Sequence, residues 1–536
     1  MTIALISFVA ALIMTLLLMP GFMKLAPRIG LVDAPDDNRK LHKKPIPMVG
    51  GISIFFAIAI TSAACLYFGS DHLRFRTFDV QEMLGLLAGS LILLLVGVVD
   101  DRFAIRGRQK LIGQIIAVTV LIASGFSFDR LVFAGMEIEL GIASWLAVYA
   151  WMLVAVNSVN LLDGADGFAS TVGVIMAGSL GVMALLDGKI VDAVVILALA
   201  GGLIGFLRFN FPPAKAFLGD AGSMLIGFLL GALAIRCMFK QAALYAFFAP
   251  IALLAIPLID TSAAIIRRRL TGRSIYTVDR GHLHHRLAKH GYSPRLSLLW
   301  VAALCTVTAA GGVMAMYFRQ SEYAVVSIIV VFIVMIAGKI FGLSEFQLVS
   351  TRVAGFAKSF VGVKEKGKHV QHRVHVQGVH DWEALWDEVC DFADEHELNE
   401  VTIDLNLPWM HESFHATRRK AGTKKDRNHE WYAEVPLLVG NRIFGRIEVL
   451  NAKNGKFTHY QVLSDLLKIL PDLEQLLIES EASSVDMGRD EIAAMEAKER
   501  AVDQNDEAEA DGAVSTGQSD DSHSGDQSAS DSMAIN

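Results

Sequence analysis

Over residues 1–345 the chain alternates long apolar runs with short polar connections; after that it changes character. A helix rises about 1.5 Å per residue, so a bilayer core about 30 Å thick needs roughly 20 apolar residues, with a range of about 17–25. Eleven runs meet that length: Thr2 to Met23, Pro47 to Phe68, Met83 to Val99, Leu111 to Phe128, Ala143 to Leu162, Phe168 to Leu186, Ile190 to Leu207, Leu218 to Met238, Ala242 to Ile266, Leu296 to Phe318 and Tyr323 to Phe341. No basic residue precedes the first run, while Lys24 and Arg28 follow it. It therefore reads as an uncleaved span with its N-terminus outside, not as a secretion signal.

The charges between the runs are one-sided. Connections after odd-numbered runs hold twenty Lys/Arg, among them Arg39, Lys40, Arg108, Lys110, Arg267 and Arg280, against six after even-numbered runs. By the positive-inside rule the odd-numbered exits, and everything after the eleventh run, are cytoplasmic.

Beyond the last run the pattern turns amphipathic and then soluble. Residues 346–368 form an interfacial linker. Residues 369–480 read as a small cytoplasmic α/β accessory domain. Its strands lie at Arg373 to Val376, Glu400 to Leu405, Glu430 to Val439 and Asn441 to Asn451, and its helices at Trp382 to His396 and Tyr460 to Ile478. Residues 481–536 hold fifteen Asp/Glu against three Lys/Arg and little apolar surface, which predicts a disordered acidic tail. The fold class expected is thus an all-α polytopic membrane domain (residues 1–345), then the α/β domain and the tail.

Composition adds two points. The net charge of −7 belongs to the tail and says nothing about the partner of the membrane half, and no feature calls for nucleic acid. The four cysteines, Cys65, Cys237, Cys305 and Cys390, have no metal-ligand or disulfide spacing and read as apolar filler.

The candidate chemistry lies on the odd-numbered, cytoplasmic side. Asn157-Ser-Val-Asn160-Leu-Leu-Asp163-Gly-Ala-Asp166-Gly167 closes the fifth run, and polar residues at a lipid-embedded helix end must find partners or line a wet cavity. The other four connections carry Asp33-Ala-Pro with Arg39-Lys40-Leu-His42 and Pro47-Met-Val-Gly50-Gly51; Asp100-Asp101 with Lys110; Asn210 and Phe217-Leu-Gly219-Asp220-Ala-Gly222-Ser223; and Asp260, Arg267, Arg280 and His282-Leu-His284-His285. Carboxylates for a hard cation, basic residues and glycine-rich helix starts are the parts that phosphoryl transfer uses. Oxygen donors with few thiols point to Mg²⁺ or Mn²⁺.

Each element also has a structural reading. Asp100-Asp101 could terminate a helix, Asp163 and Asp166 would share a face if helical, and Asp220 could be an N-cap. Adjacent His284 and His285 cannot share a helix face, so substrate hydrogen bonding is preferred over a metal site there. One-sided clustering of every motif is what favours function.

The ordered motifs Asp-x-Pro, Arg-Lys-x-His, Pro-x-x-Gly-Gly, Asp-Asp, Asn-x-x-Asn-x-x-Asp-Gly-x-Asp-Gly, Phe-x-Gly-Asp-x-Gly-Ser and His-x-His-His resemble the polyprenyl-phosphate N-acetylhexosamine-1-phosphate transferases. The resemblance implies an Mg²⁺-dependent enzyme of an inner or plasma membrane whose lipid phosphate attacks the β-phosphate of a UDP-sugar and releases UMP. It places Asp100, Asp101, Asp163, Asp166 and Asp220 in the catalytic centre, with Asp220 and Asp163 on the metal. Substrate contacts fall to Arg39, Lys40, His42, Lys110, Asn157, Asn160, Asn210, Phe217, Arg280, His282, His284 and His285. The histidine pattern looks more like the UDP-GlcNAc-using branch than the phospho-MurNAc-pentapeptide translocases, and suggests a step that initiates a cell-envelope polysaccharide. Alternatives are the pentapeptide substrate or, from another class, an ion-coupled transporter. A protein partner for the C-terminal domain and a homo-oligomer are open.

Overall fold

The computed structural model describes residues 1–33, 45–69, 79–128, 130–133, 136–239, 244–270, 281–338, 369–377, 382–407, 412–420, 430–439, 442–453 and 456–478. The chain divides into two compact units, one of residues 1–365 with 372–378 and 413–415, the other of the remaining residues.

The first unit is a helical bundle of membrane-spanning character. Its helices are α1 (Thr2–Ile29), α2 (Gly50–Phe68), α3 (Val80–Phe103), α4 (Gly107–Ala123), α5 (Ala143–Leu162), α6 (Phe168–Leu186), α7 (Ile190–Asn210), α8 (Gly219–Ala234), α9 (Leu244–Leu253), α10 (Ala255–Leu270), α11 (Leu283–Lys289), α12 (Pro294–Phe318) and α13 (Glu322–Ala337). Eight described helices are long and apolar enough to cross a membrane, nine if a bent pair is one span. The count of eleven is thus not reached by length and apolar character alone. Two of the expected spans are the shorter α4 (17 residues) and α13 (16 residues).

The run Ala242 to Ile266 is the other departure. It is not one helix: α9 and α10 meet at a 73° bend. Pro257 has no N–H to donate to the carbonyl four residues back, so the hydrogen-bond ladder breaks at Leu253–Leu254. Hydropathy alone does not register that lost donor.

α8 is the central element, and every residue from Ala221 to Ala234 is buried. Small residues let its neighbours close on its first turn. A Cβ on Gly97 of α3 would lie 2.2 Å from the Ala221 Cα, and one on Gly51 of α2 would lie 2.4 Å from the Gly222 N. Such contacts exclude any larger residue and suit helix packing in lipid, where van der Waals fit replaces the hydrophobic effect. The segment before α2 docks along the chain entering α8: Phe217 N–H donates to the Pro47 carbonyl (2.8 Å), and Gly50 N–H donates to the Phe217 carbonyl (3.1 Å). Gly50 and Gly51 thus serve backbone approach between two motifs, not the phosphate cradle that a glycine pair suggests.

At the opposite ends of α3, α7 and α8 a buried Arg236 pairs with Glu82 and Asp192. The sequence marks that end of the bundle as chemically bare because it weighs connections, whereas these three residues sit inside helices or in the π-helical turn that follows α8. Two short antiparallel pairs, β1 (Val32–Asp33) with β2 (Ile46–Pro47) and β3 (Arg130–Phe133) with β4 (Met136–Glu139), also go unanticipated.

The second unit holds most of a five-stranded sheet in the order β5-β7-β6-β9-β8, with β5 His369–Gln377, β6 Glu400–Leu407, β7 Glu412–Lys420, β8 Glu430–Val439 and β9 Arg442–Ala452. The β6–β9 and β8–β9 pairs are antiparallel, so this unit is α+β rather than the expected α/β. β7 escapes the sequence reading because Glu412-Ser-Phe-His-Ala-Thr-Arg-Arg-Lys420 is mostly polar. Helix α14 (Glu383–Glu395) buries Leu385, Trp386, Val389, Cys390, Phe392 and Ala393 at helical spacing. Residues 459–478 form a last helix. The interfacial linker and the acidic tail lie outside the described residues.

Candidate active site

The ends of α3 and α5 and the start of α4 meet the first turn of α8. Asp220, the second residue of α8, accepts a hydrogen bond on Oδ1 from Asn160 Nδ2 (2.8 Å), and its Oδ2 meets Lys110 Nζ. Lys110 also pairs with Asp100 Oδ2 at 2.5 Å. The Asn160 amide further donates to Ser223 Oγ (2.9 Å), so both ends of its reach are fixed on α8. Asp220 is therefore not an N-cap: its side chain turns away from its own backbone and toward Lys110 and Asn160.

Asp101 does the capping instead. Its two carboxylate oxygens accept the Asp220 N–H (2.8 Å) and the Ala221 N–H (3.2 Å), while the N-cap residue Leu218 offers no side-chain bond of its own. Exposed N–H groups and the positive end of the helix dipole favour a carboxylate there. Gly219 is required beside it, with φ at +72° and a would-be Cβ 2.5 Å from Asp101 Oδ2. Asp101, expected in the catalytic centre, holds α8 in place with both oxygens.

Asp163 and Asp166 do not share a helix face. Residues 163–167 form turns between α5 and α6, because Gly164 and Gly167 interrupt the helix and Gly167 adopts φ +75°. Asp166 Oδ2 accepts the Ala214 N–H (2.8 Å), which ties the turn to the chain after α7. Asn210, expected at the substrate, is buried and serves as scaffold: Oδ1 accepts from Gly167 N–H (3.1 Å) and Ser170 Oγ (2.8 Å), and Nδ2 donates to the Ala216 carbonyl (3.0 Å). Asn157 pairs with Gln114, donating from Nδ2 to Oε1 (2.7 Å) and accepting at Oδ1 from Nε2 (3.2 Å).

The histidines sit over the aspartate turn. A Cβ on Gly164 would lie 2.6 Å from His284 Cε1, and Phe168 meets the His284 ring edge-to-face at 5.8 Å. His284 is buried, and burial pulls its imidazole down to about 4, with the Asp260 carboxylate opposing and His282 adding to the shift. It is neutral at neutral pH, and neither ring nitrogen has a hydrogen-bond partner among the described residues. His282 Nδ1 bonds Asp260 Oδ2 (2.9 Å), and His285 is half-buried with its ring 4.2 Å from that of His284. Phe217 keeps part of its surface exposed. Arg39, Lys40, His42 and Arg280 lie outside the described residues.

The segment from 83 to 238 matches the family model described as glycosyl transferase family 4. The chain is 32% identical over 296 residues (55% of this chain, 80% of the relative) to a Bacillus subtilis protein described as a probable undecaprenyl-phosphate N-acetylglucosaminyl 1-phosphate transferase. It is 32% identical over 326 residues (56% and 79%) to the decaprenyl-phosphate N-acetylglucosaminephosphotransferase of Mycolicibacterium smegmatis. It is 27% identical over 301 residues (55% and 79%) to the undecaprenyl-phosphate alpha-N-acetylglucosaminyl 1-phosphate transferase of Escherichia coli O157:H7. The chain belongs to glycosyl transferase family 4. The match holds the five clustered aspartates, Lys110, Asn157 and Asn160, whereas Asp260 and the histidines lie beyond it.

The donor set of this family 4 chain suits a hard divalent cation. Among the described residues no three His, Cys, Asp or Glu side chains enclose a common metal position. Mg²⁺ commonly takes only one or two carboxylates, however, and fills its shell with substrate phosphate and water. Among the described residues, Asp100 Oδ1 is buried without a hydrogen-bond partner. Burial, then the carboxylates of Asp220, Asp101 and Asp166, holds the Asp163 carboxyl well above the ordinary range. An unpartnered carboxylate oxygen and a carboxyl crowded by like charge fit a hard divalent cation.

Among residues to which the sequence assigns no role, Gln114, Ser223 and Asp260 take part in the site. Ser223 closes the Phe-x-Gly-Asp-x-Gly-Ser motif and Asp260 precedes the histidine motif, whereas Gln114 lies in no motif; in each case only the contacts show what the side chain does.

Proposed function

We propose that this family 4 chain transfers N-acetylglucosamine-1-phosphate from a UDP-sugar to a polyprenyl phosphate. The observation that carries the reading is the Asp100–Lys110–Asp220–Asn160 network at the first turn of α8, built from residues of four helices. The names of the relatives supply the sugar and the lipid class.

In this reading an oxygen of the lipid phosphate attacks the β-phosphorus of the donor. A new P–O–P bond forms, the bond from the β-phosphorus to the bridging oxygen breaks, and UMP departs with the electron pair. Asp100 and Lys110 orient the lipid phosphate, which is already ionised at neutral pH and needs placing more than deprotonating. Asn160 and Ser223 hold the Asp220 carboxylate in one rotamer. Asp220 and Asp163 would hold Mg²⁺, which when bound neutralises charge on the phosphates of the donor. Neutral His284 offers a hydrogen bond to the sugar and not a counter-charge to the diphosphate. Twenty basic residues in the odd-numbered connections against six in the others support placing this end of the bundle in the cytoplasm.

A comparison of donors tests the reading. Purified protein supplied with polyprenyl phosphate and Mg²⁺ is expected to form lipid-linked product from UDP-GlcNAc and to leave UDP-MurNAc-pentapeptide unreacted. Product from the pentapeptide donor alone would overturn the choice of sugar. Solute movement across vesicles without product would favour the transporter.

A further inference from the structure

A carboxylate buried in a membrane-spanning segment is costly unless its lone pairs are used. Asp260, on α10 six residues past the α9–α10 bend, is 1% exposed and uses both oxygens on one target: Oδ1 accepts the Leu283 N–H (2.9 Å) and Oδ2 meets His282 Nδ1 (2.9 Å). His282 is the N-cap of α11 and gives that helix no side-chain cap of its own. The cap comes from α10. The contact between His282 Nδ1 and the Asp260 carboxylate, beside the Leu283 N–H on the other oxygen, fixes the ring plane. That plane is parallel to the His284 ring within 4°, at 6.2 Å, and His284 in turn lies against Gly164 in the aspartate turn with both nitrogens unpartnered.

We propose that Asp260 is a positioning residue for the sugar nucleotide: it sets where α11 begins and how His282 is turned, and so places the His284 nitrogens over the Asp163–Asp166 turn. It touches no substrate itself. The proposal rests on the transferase reading and adds to it a carboxylate outside the cluster of five aspartates. Asp260→Asn keeps the shape and one acceptor but can no longer take both donors, so α11 and His282 lose a charge-assisted tether.

The test is steady-state kinetics on the full-length protein with UDP-GlcNAc and polyprenyl phosphate varied separately. Asp260→Asn is expected to raise KM for UDP-GlcNAc by about tenfold while KM for the lipid stays within about twofold, as loss of placement on one substrate demands. A merely structural role would lower the active fraction and leave both KM values alone, which overturns the proposal. A double variant decides between acting through the histidine and acting alone. Asp260→Asn combined with His284→Ala should have a KM within about twofold of His284→Ala alone, whereas multiplied effects overturn the coupling. If Asp260→Asn does not fold, Asp260→Glu, which retains the charge but not the reach, is expected to show the same one-sided KM rise, and a wild-type KM in that variant overturns the proposal. An active wild type with unchanged variants defeats only the positioning role, while a wild type that makes no lipid-linked product defeats the transferase reading and this proposal together.

Discussion

Asp220→Asn is expected to lower turnover by on the order of 10²–10³-fold while the protein still folds. The carboxylate accepts from two directions, Asn160 Nδ2 on Oδ1 and Lys110 Nζ on Oδ2. An amide has one acceptor oxygen, so whichever way it turns, its NH₂ faces either the Asn160 amide or the Lys110 ammonium, and one hydrogen bond becomes a donor–donor contact. The substitution also removes an anionic oxygen that would help hold the cation. Helix α8 should survive, because its first N–H groups are capped by Asp101 and the Asp220 N–H is a backbone group that Asn retains. Turnover at saturating UDP-GlcNAc and lipid phosphate, beside a melting curve, checks both halves: near-wild-type turnover at limiting Mg²⁺ would remove Asp220 from the centre.

Lys110→Met should be nearly as damaging, at about 10²-fold or more in kcat/KM for the lipid phosphate. Its ammonium lies between Asp100 and Asp220 and is the one described cation paired with either of them. Met preserves the length and the apolar stem but leaves two carboxylates facing each other without a counter-charge, and breaking a buried charge cluster costs more than the pair contributed. Lys110→Arg is not expected to restore activity, because a planar guanidinium cannot stand in for a compact ammonium between two carboxylates. A lipid-phosphate KM unchanged in Lys110→Met would separate the lysine from the acceptor.

These residues are legible in the amino-acid sequence because apolar runs fix where each polar residue must lie, and the one-sided motifs follow from that. Roles are harder to read. Asp100 and Asp101 are neighbours of one type, yet one faces Lys110 while the other caps α8, a division made by which side of α3 each occupies. Asn210 sits in a motif but spends its amide on Gly167, Ser170 and Ala216, and residue type cannot distinguish that from substrate binding. Asp163 and Asp166 have helical spacing, but Gly164 and Gly167 replace the helix with turns. Asp260 reads as a lone charge inside the apolar run Ala242 to Ile266, since its partners lie more than twenty residues on, at His282 and Leu283. The strand β7 is hidden by its polar composition and the bend after α9 by a single missing N–H.

The position of the transferred phosphorus tests the central claim most directly. UDP-GlcNAc labelled at the β-phosphorus, incubated with the purified protein and polyprenyl phosphate, should deliver its label to the lipid product, and donor labelled at the α-phosphorus should release it as UMP. β-Label recovered in UDP, with unlabelled sugar on the lipid, would mean that the sugar moves without its phosphate and would contradict phosphoryl transfer at the first turn of α8.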